Sequence, residues 1–236
     1  MKNSLLKNCV ATLTLFMAFG ALAQNQTTLS LDSFYAKIKS QKNPQIIDAR
    51  SPEEFVQNHI DGALNFNQQT VNYAKYLAAL DKSQPVFVYS IGAGRSVSLA
   101  NELLKNGFSE AYSLEGGIAA WIGGGKPFYT NLKSKLSLEE YQKIIANNTT
   151  VLVDIGSRYC GPCKKVKPVL EAIRTQYGND IKIVEIDLEE SPQVIADLKT
   201  VKVFPTLILY QKGKITFKKD GLTDLKKNVD LALAQK

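Results

Sequence analysis

The chain has 236 residues, 44% of them apolar and 22% charged, with a formal charge of +7. That length suffices for two domains, each able to bury its own core, and the composition is that of a soluble globular protein. The lysines are spread out apart from small groups such as Lys164-Lys165-Lys167 and Lys218-Lys219, a pattern that serves solubility and argues against a nucleic-acid partner. Three cysteines and a single histidine, His59, leave no four-ligand set for a structural zinc, and no metal site is expected.

In chain order, Lys2 and Lys7 precede an apolar run, Val10 to Ala23, that ends in Ala21-Leu22-Ala23. A basic start, a short apolar core and small residues at a cleavage point describe a secretory signal over residues 1–23, and hence an exported protein, periplasmic or secreted. The run falls short of the roughly 20 residues that span a bilayer, so a retained anchor is the lesser alternative. Cys9 stands ahead of the apolar core, badly placed for lipidation. Removing residues 1–23 takes two lysines and no acid, lowering the formal charge from +7 to +5 and leaving two cysteines.

Leu31, Phe34 and Ile38 have helical spacing behind Ser30 as N-cap. Gln45 to Asp48 is a short buried strand, and Ser51-Pro52 opens another helix. Val86 to Tyr89 is a second apolar strand, running into the glycine-containing loop Ser90-Ile91-Gly92-Ala93-Gly94-Arg95 and a helix through Leu104. Ala111 to Leu114 is a further strand, followed by the helix that carries Trp121. Alternating strands and helices predict a largely parallel sheet covered on both faces. Gly123-Gly124-Gly125-Lys126-Pro127 breaks the pattern, which puts the first domain at 28–129, a linker at 130–136 and a second domain at 137–236. There, Ser137 with Glu140 fits a capping box before a helix with Tyr141, Ile144 and Ile145. Val151 to Val153 is a buried strand, and Cys160-Gly161-Pro162-Cys163 begins the next helix. Ile181 to Ile186 is a strand, 203–210 and 214–217 form a hairpin around Gln211-Lys212-Gly213, and a helix from about Thr223 to Ala234 closes the chain.

Two thiols separated by two residues suit reversible disulfide chemistry: the first attacks a partner's disulfide and the second resolves the mixed disulfide. In an exported chain even numbers of cysteines usually act as staples, so a lone vicinal pair favours chemistry over stability. Residues 137–236 resemble thioredoxin. The resemblance rests on Val153-Asp154 leading into Tyr159-Cys160-Gly161-Pro162-Cys163-Lys164, on Pro168, and on Phe204-Pro205-Thr206. It implies a thioredoxin fold with a mixed sheet, in which Cys160 is the nucleophile at a helix N-terminus, where free N–H groups favour a thiolate. It implies further that Cys163 resolves, that Asp154 is a buried carboxylate moving a proton on or off Cys163, and that Pro205 is cis, so that the backbone of Phe204 binds substrate beside Tyr159, Gly161 and Pro162. Tyr159 replaces the family's usual tryptophan, Arg158 is expected to favour the Cys160 thiolate, and Glu185 stands where the family usually has a lysine. The Gly-Pro dipeptide resembles reducing members, with potentials of about −270 mV against about −120 mV for strong oxidants.

Residues 28–129 resemble a single rhodanese domain, a three-layer α/β/α fold on a parallel sheet. The matching stretches are Ile46 to Phe55, His59-Ile60-Asp61-Gly62-Ala63-Leu64-Asn65, Tyr89 to Ser96, and Leu114 to Trp121. A working rhodanese carries a persulfide on a loop cysteine, and the matching position holds Ser90, which cannot. The loop Ile91 to Arg95 is left as a candidate cradle for a small sulfur oxyanion, a persulfidated partner or a protein client, the alternative being a degenerate domain that serves as spacer or docking surface. Three functions stand: a thiol–disulfide oxidoreductase, a reductase or isomerase-type exchanger, acting on protein thiols and disulfides with electrons from a membrane or soluble donor; a sulfurtransfer partner in which Cys160 accepts sulfur; and a binding module with a merely structural disulfide. None calls for a cofactor.

Overall fold

The computed structural model describes residues 27–222 and 224–234, so the expected signal segment lies outside the described residues. The first unit runs β1 (Thr28–Leu29), α1 (Leu31–Ser40), β2 (Gln45–Asp48), α2 (Pro52–Gln57), β3 (Asn58–His59), β4 (Leu64–Asn65), α3 (Tyr73–Ala78), β5 (Val86–Tyr89), α4 (Gly94–Lys105), β6 (Ala111–Leu114), α5 (Gly117–Gly123) and β7 (Tyr129–Thr130). Its main sheet is parallel throughout, in the order β1-β6-β5-β2-β4. Each residue of β5 is buried, as a central strand covered on both faces requires. One layer packs Phe34, Ile38, Phe87, Tyr89, Ile118 and Trp121, and the other Ile47, Val86, Val88, Leu99 and Leu103. The helices start where their caps dictate. Ser30 accepts the N–H of Ser33, and Ser51 forms a full capping box with Glu54 behind Pro52.

An ion pair inside this unit was not read from the sequence. Arg50, fully buried, forks onto both carboxylate oxygens of buried Asp48 and also donates to the side chain and backbone carbonyl of Asn58. It clamps the end of β2 to the end of α2. The pairing of Asn58 with Thr130 carries the first unit one residue past the expected boundary at 129.

The second unit runs α6 (Leu138–Asn147), β8 (Thr150–Gly156), α7 (Lys167–Tyr177), β9 (Lys182–Asp187), α8 (Pro192–Leu198), β10 (Thr206–Gln211), β11 (Lys214–Asp220) and α9 (Leu225–Ala234). Its mixed sheet has the order β11-β10-β8-β9, with β8 and β9 parallel and the other pairs antiparallel. Together the two sheets make the chain α/β, a parallel domain followed by a mixed one.

Some expectations differ in detail. The strand expected from Val203 starts at Thr206, because Pro205 has no N–H to give a ladder. The cysteine motif does not open an α-helix: a 3-10 turn over Pro162–Lys165 intervenes, and α7 proper begins at Lys167, with Pro168 in its first turn. The helix α8 was not anticipated, although Ser191-Pro192 repeats the Ser51-Pro52 signal.

Candidate active site

Strand β8 is the rail that delivers the site. Val151, Leu152, Val153 and Ile155 are fully buried, which fixes the strand at the centre of the sheet and leaves Asp154 and Gly156 near its end, where the chain turns toward the cysteines. Ser157 organises that turn. Its carbonyl accepts the N–H of Cys160 at 3.0 Å and its Oγ accepts the N–H of Tyr159 at 3.2 Å. Cys160 and Cys163 are joined as a disulfide with Cα atoms 5.3 Å apart, and the N–H of Cys163 donates to Sγ of Cys160 at 3.2 Å. That donor would stabilise a thiolate on Cys160 after reduction. It does so from a 3-10 turn rather than from an α-helix end.

Asp154 faces Glu185 across the parallel register of β8 and β9. Its Oδ1 is buried without a hydrogen-bond partner. Burial first, and the charge of Glu185 second, push its carboxyl up to about 7 against the opposing pull of Lys167. Asp154, Cys163, Lys164, Lys167 and Glu185 line one small cleft of about 150 Å³. Gly156 is part of this fit, since a methyl group there would lie 3.2 Å from Sγ of Cys163.

The bond Phe204–Pro205 is cis. Thr206 pairs with Ile155, which sets Pro205 abreast of Gly156 and hence beside the cysteines. Thr206 Oγ1 lies 2.7 Å from both the carbonyl of Val203 and Oδ1 of Asp220, tying down the turn. Cys160, Cys163, Asp154, Tyr159, Gly161, Pro162, Phe204 and Pro205 are thus gathered at one end of the second sheet.

Arg158 departs from its expected role. Its guanidinium is engaged by Asp187 at 3.1 Å and Glu190 at 3.0 Å, so its charge is spent away from Cys160. Glu189 was missed in the sequence. It is 5% exposed, its Oε1 accepts the Ser157 hydroxyl at 2.9 Å, and its Oε2 has no partner. Burial, then Asp187, raises its pKa well above that of an ordinary glutamate. In the sequence Glu189-Glu190 reads only as solvated charge.

The first unit's loop is differently occupied from the cradle expected of it. Ser90 is buried and its hydroxyl donates to the carbonyl of Gly92 at 2.7 Å. Arg95 forks onto Glu54 at 2.8 and 2.9 Å, so the one cation of the loop already has a carboxylate. An anion held by the backbone of Ile91, Gly92, Ala93 and Gly94 would share Arg95 with that carboxylate. Among the described residues no group of three His, Cys, Asp or Glu side chains is placed to hold a metal ion. No helix among them is long and apolar enough to cross a membrane.

Comparison with known proteins agrees with this division. The family model for thioredoxin matches residues 133–232, and that for the rhodanese-like domain matches 30–123. A thioredoxin of Porphyra purpurea is 37% identical over 73 residues, which is 31% of this chain and 67% of that protein. One of Mycobacterium tuberculosis is 38% identical over 71 residues, 30% of this chain and 60% of its own length. The chain therefore spans between 60% and 67% of these relatives. Among solved structures, a mitochondrial thioredoxin of Saccharomyces cerevisiae in its oxidised form aligns with a TM-score of 0.39 at 23% identity, covering 44% of this chain and 95% of that one. A thioredoxin of Plasmodium falciparum aligns with a TM-score of 0.36 at 26% identity, covering 42% and 93%. The chain belongs to the thioredoxin family through its second domain, which follows a rhodanese-like first domain.

Proposed function

We propose that this chain is an exported reductase of protein disulfides that works through Cys160 and Cys163. Its thiol–disulfide chemistry follows from family and site; the direction, clients and location are our reading. In the reduced protein the Cys160 thiolate attacks one sulfur of a client disulfide. The client's S–S bond breaks, its other sulfur leaves as a thiolate, and a mixed disulfide forms. Cys163 gives its proton to the Asp154 carboxylate and attacks Sγ of Cys160. The mixed disulfide breaks, the second client sulfur leaves as a thiolate, and the Cys160–Cys163 disulfide remains, to be reduced by an external dithiol donor. The observation that carries the exchange chemistry of this reading is the half-buried Asp154, its carboxyl pushed up to about 7 in the cleft that Cys163 lines. The serine at position 90 leaves the first domain without a sulfur-bearing cysteine, so the sulfurtransfer reading would need a separate carrier bound there.

The test is capture. Cys163→Ser leaves the attacking thiol and removes the resolving one, so mixed disulfides with clients should accumulate on Cys160, and the intact dithiol should reduce insulin. Absence of both captured partners and insulin reduction would sink the proposal.

A further inference from the structure

The attacking thiol of an exchange protein has to be reached, yet Cys160 is only 4% exposed and Phe204 only 6%. The first domain stands against the Phe204 side of this face, while Tyr159, Gly161 and Pro162 on the other side are exposed. Cys160, Cys163 and Phe204 belong to one continuous apolar cluster with Ile60, Tyr89, Ile91 and Ile118 of the first domain. The backbones of the two domains approach at glycines. A methyl group on Gly116 would lie 2.1 Å from the carbonyl oxygen of Lys202, and one on Gly123 would lie 2.3 Å from that of Val201. Both carbonyls belong to the segment that runs into Phe204 and cis Pro205. On the other flank, Gln57 at the end of α2 donates to the hydroxyl of Tyr159 at 3.0 Å. The loop end of the first sheet and the cysteine end of the second are therefore turned toward each other.

We propose that the rhodanese-like domain is a size-selective cap on the Phe204 side of Cys160, which slows the approach of polypeptides to the sulfur pair until the domain swings aside, and which hinders small molecules far less. The proposal rests on the redox reading of the site but concerns access rather than turnover. The cleft of about 150 Å³ on the Cys163 side is a size suited to a small thiol and not to a polypeptide segment. The cap is built to swing. A second cleft, of about 640 Å³, lies within the domain interface between Leu31, Ala120 and Lys126 on one side and Lys199 and Val203 on the other, so the interface is incompletely filled. The linker offers one pivot. The N–H of Leu132 is held by Thr130 of the first domain, and the hydroxyl of Ser134 accepts the N–H of Gln193 of the second, which leaves Lys133 between the two anchors.

The sequence provides a wedge. Gly123 has ordinary helical backbone, and the three atoms nearest to a methyl there all belong to Val201 across the interface. Gly123→Ala should therefore favour its own helix and push the domains apart. Cys160 is made the single thiol by Cys9→Ser and Cys163→Ser, and its labelling rate is measured with N-ethylmaleimide and with a maleimide carrying a 5 kDa polyethylene glycol chain. The ratio of the two rates cancels any change in thiol reactivity and reports access alone. We expect the large-to-small ratio to rise at least tenfold in Gly123→Ala over its parent, and at least threefold in Gln57→Ala, which removes the Tyr159 latch. A ratio unchanged in both variants, with native circular dichroism, overturns the cap. If Gly123→Ala does not fold, Gln57→Ala decides. Labelling needs no catalysis, so a chain that shows the shift but reduces neither insulin nor a small aromatic disulfide keeps the cap and loses the redox reading. The reverse result keeps the reductase and loses the cap.

Discussion

Asp154→Asn should make the protein more stable at alkaline pH and a poorer enzyme. An aspartate in the unfolded chain titrates near 3.8, whereas Asp154 in the folded chain holds its proton up to about 7. Between those values the folded state binds more protons than the unfolded state, so the free energy of unfolding falls as pH rises, and the loss is complete above about pH 8. At about 1.4 kcal/mol for each tenfold change in the proton equilibrium, the span corresponds to about 4 kcal/mol. The asparagine amide enters a site where Oδ1 already lacks a partner and gives back about 1–2 kcal/mol. The variant should thus exceed the wild type by about 2–3 kcal/mol at pH 8.5, with little or no gain at pH 4. Urea unfolding of both oxidised proteins across that pH range, followed by circular dichroism, measures the difference directly. Acids outside the Asp154–Glu185 pair titrate equally in both and drop out. Resolution of the mixed disulfide should slow by about 10²-fold, the usual contribution of a positioned base. A variant no more stable at pH 8.5 than at pH 4, relative to wild type, would refute the buried-carboxylate account and with it the proton route to Cys163.

Three further outcomes are expected. Arg50→Ala strands the buried carboxylate of Asp48 and should cost about 3–5 kcal/mol, read as a lower urea midpoint by Trp121 fluorescence in the same domain. Ser90→Cys should remain without thiosulfate sulfurtransferase activity, because the side chain meets the Gly92 carbonyl instead of converging N–H groups and Arg95 is tied to Glu54; thiocyanate formation well above background would contradict this. Gly117→Ala forces a side chain onto a backbone at φ +58° with the Ser90 carbonyl 2.2 Å away, and should lower the thermal midpoint by several degrees or more.

Elements whose burial and caps are local were legible in the sequence: β2, β5, β6 and β8 are apolar runs, and Ser51 and Ser137 carry their own capping boxes. The cysteine pair, Asp154 and Pro205 were equally visible, since each is an unusual residue at a fixed place in a motif. What depends on remote partners was not. Glu189 looks like one of two surface acids until Ser157 and the turn above it are placed in space. Arg158 and Arg95 look like free cations until Glu190 and Glu54 are found beside them. Charge in a sequence has a sign but no address, and the partner decides whether it acts on the site.

The glycines show the same limit most sharply. In the sequence, Gly123-Gly124-Gly125 is a breaker, and it does end α5. The geometry gives Gly123 a second task, shared with Gly116, because these two are where the backbone of one domain comes against that of the other, at the segment leading to the cis proline. Only a residue without a side chain permits that approach. A loose tether between two independent domains would not require it, since a bulkier residue would simply hold the domains further apart. The close contact is thus a property of the pair: a rhodanese-like domain that lacks a sulfur-bearing cysteine lies against the one site in the described chain where sulfur chemistry can occur. Its effect on catalysis runs through the access it allows to Cys160.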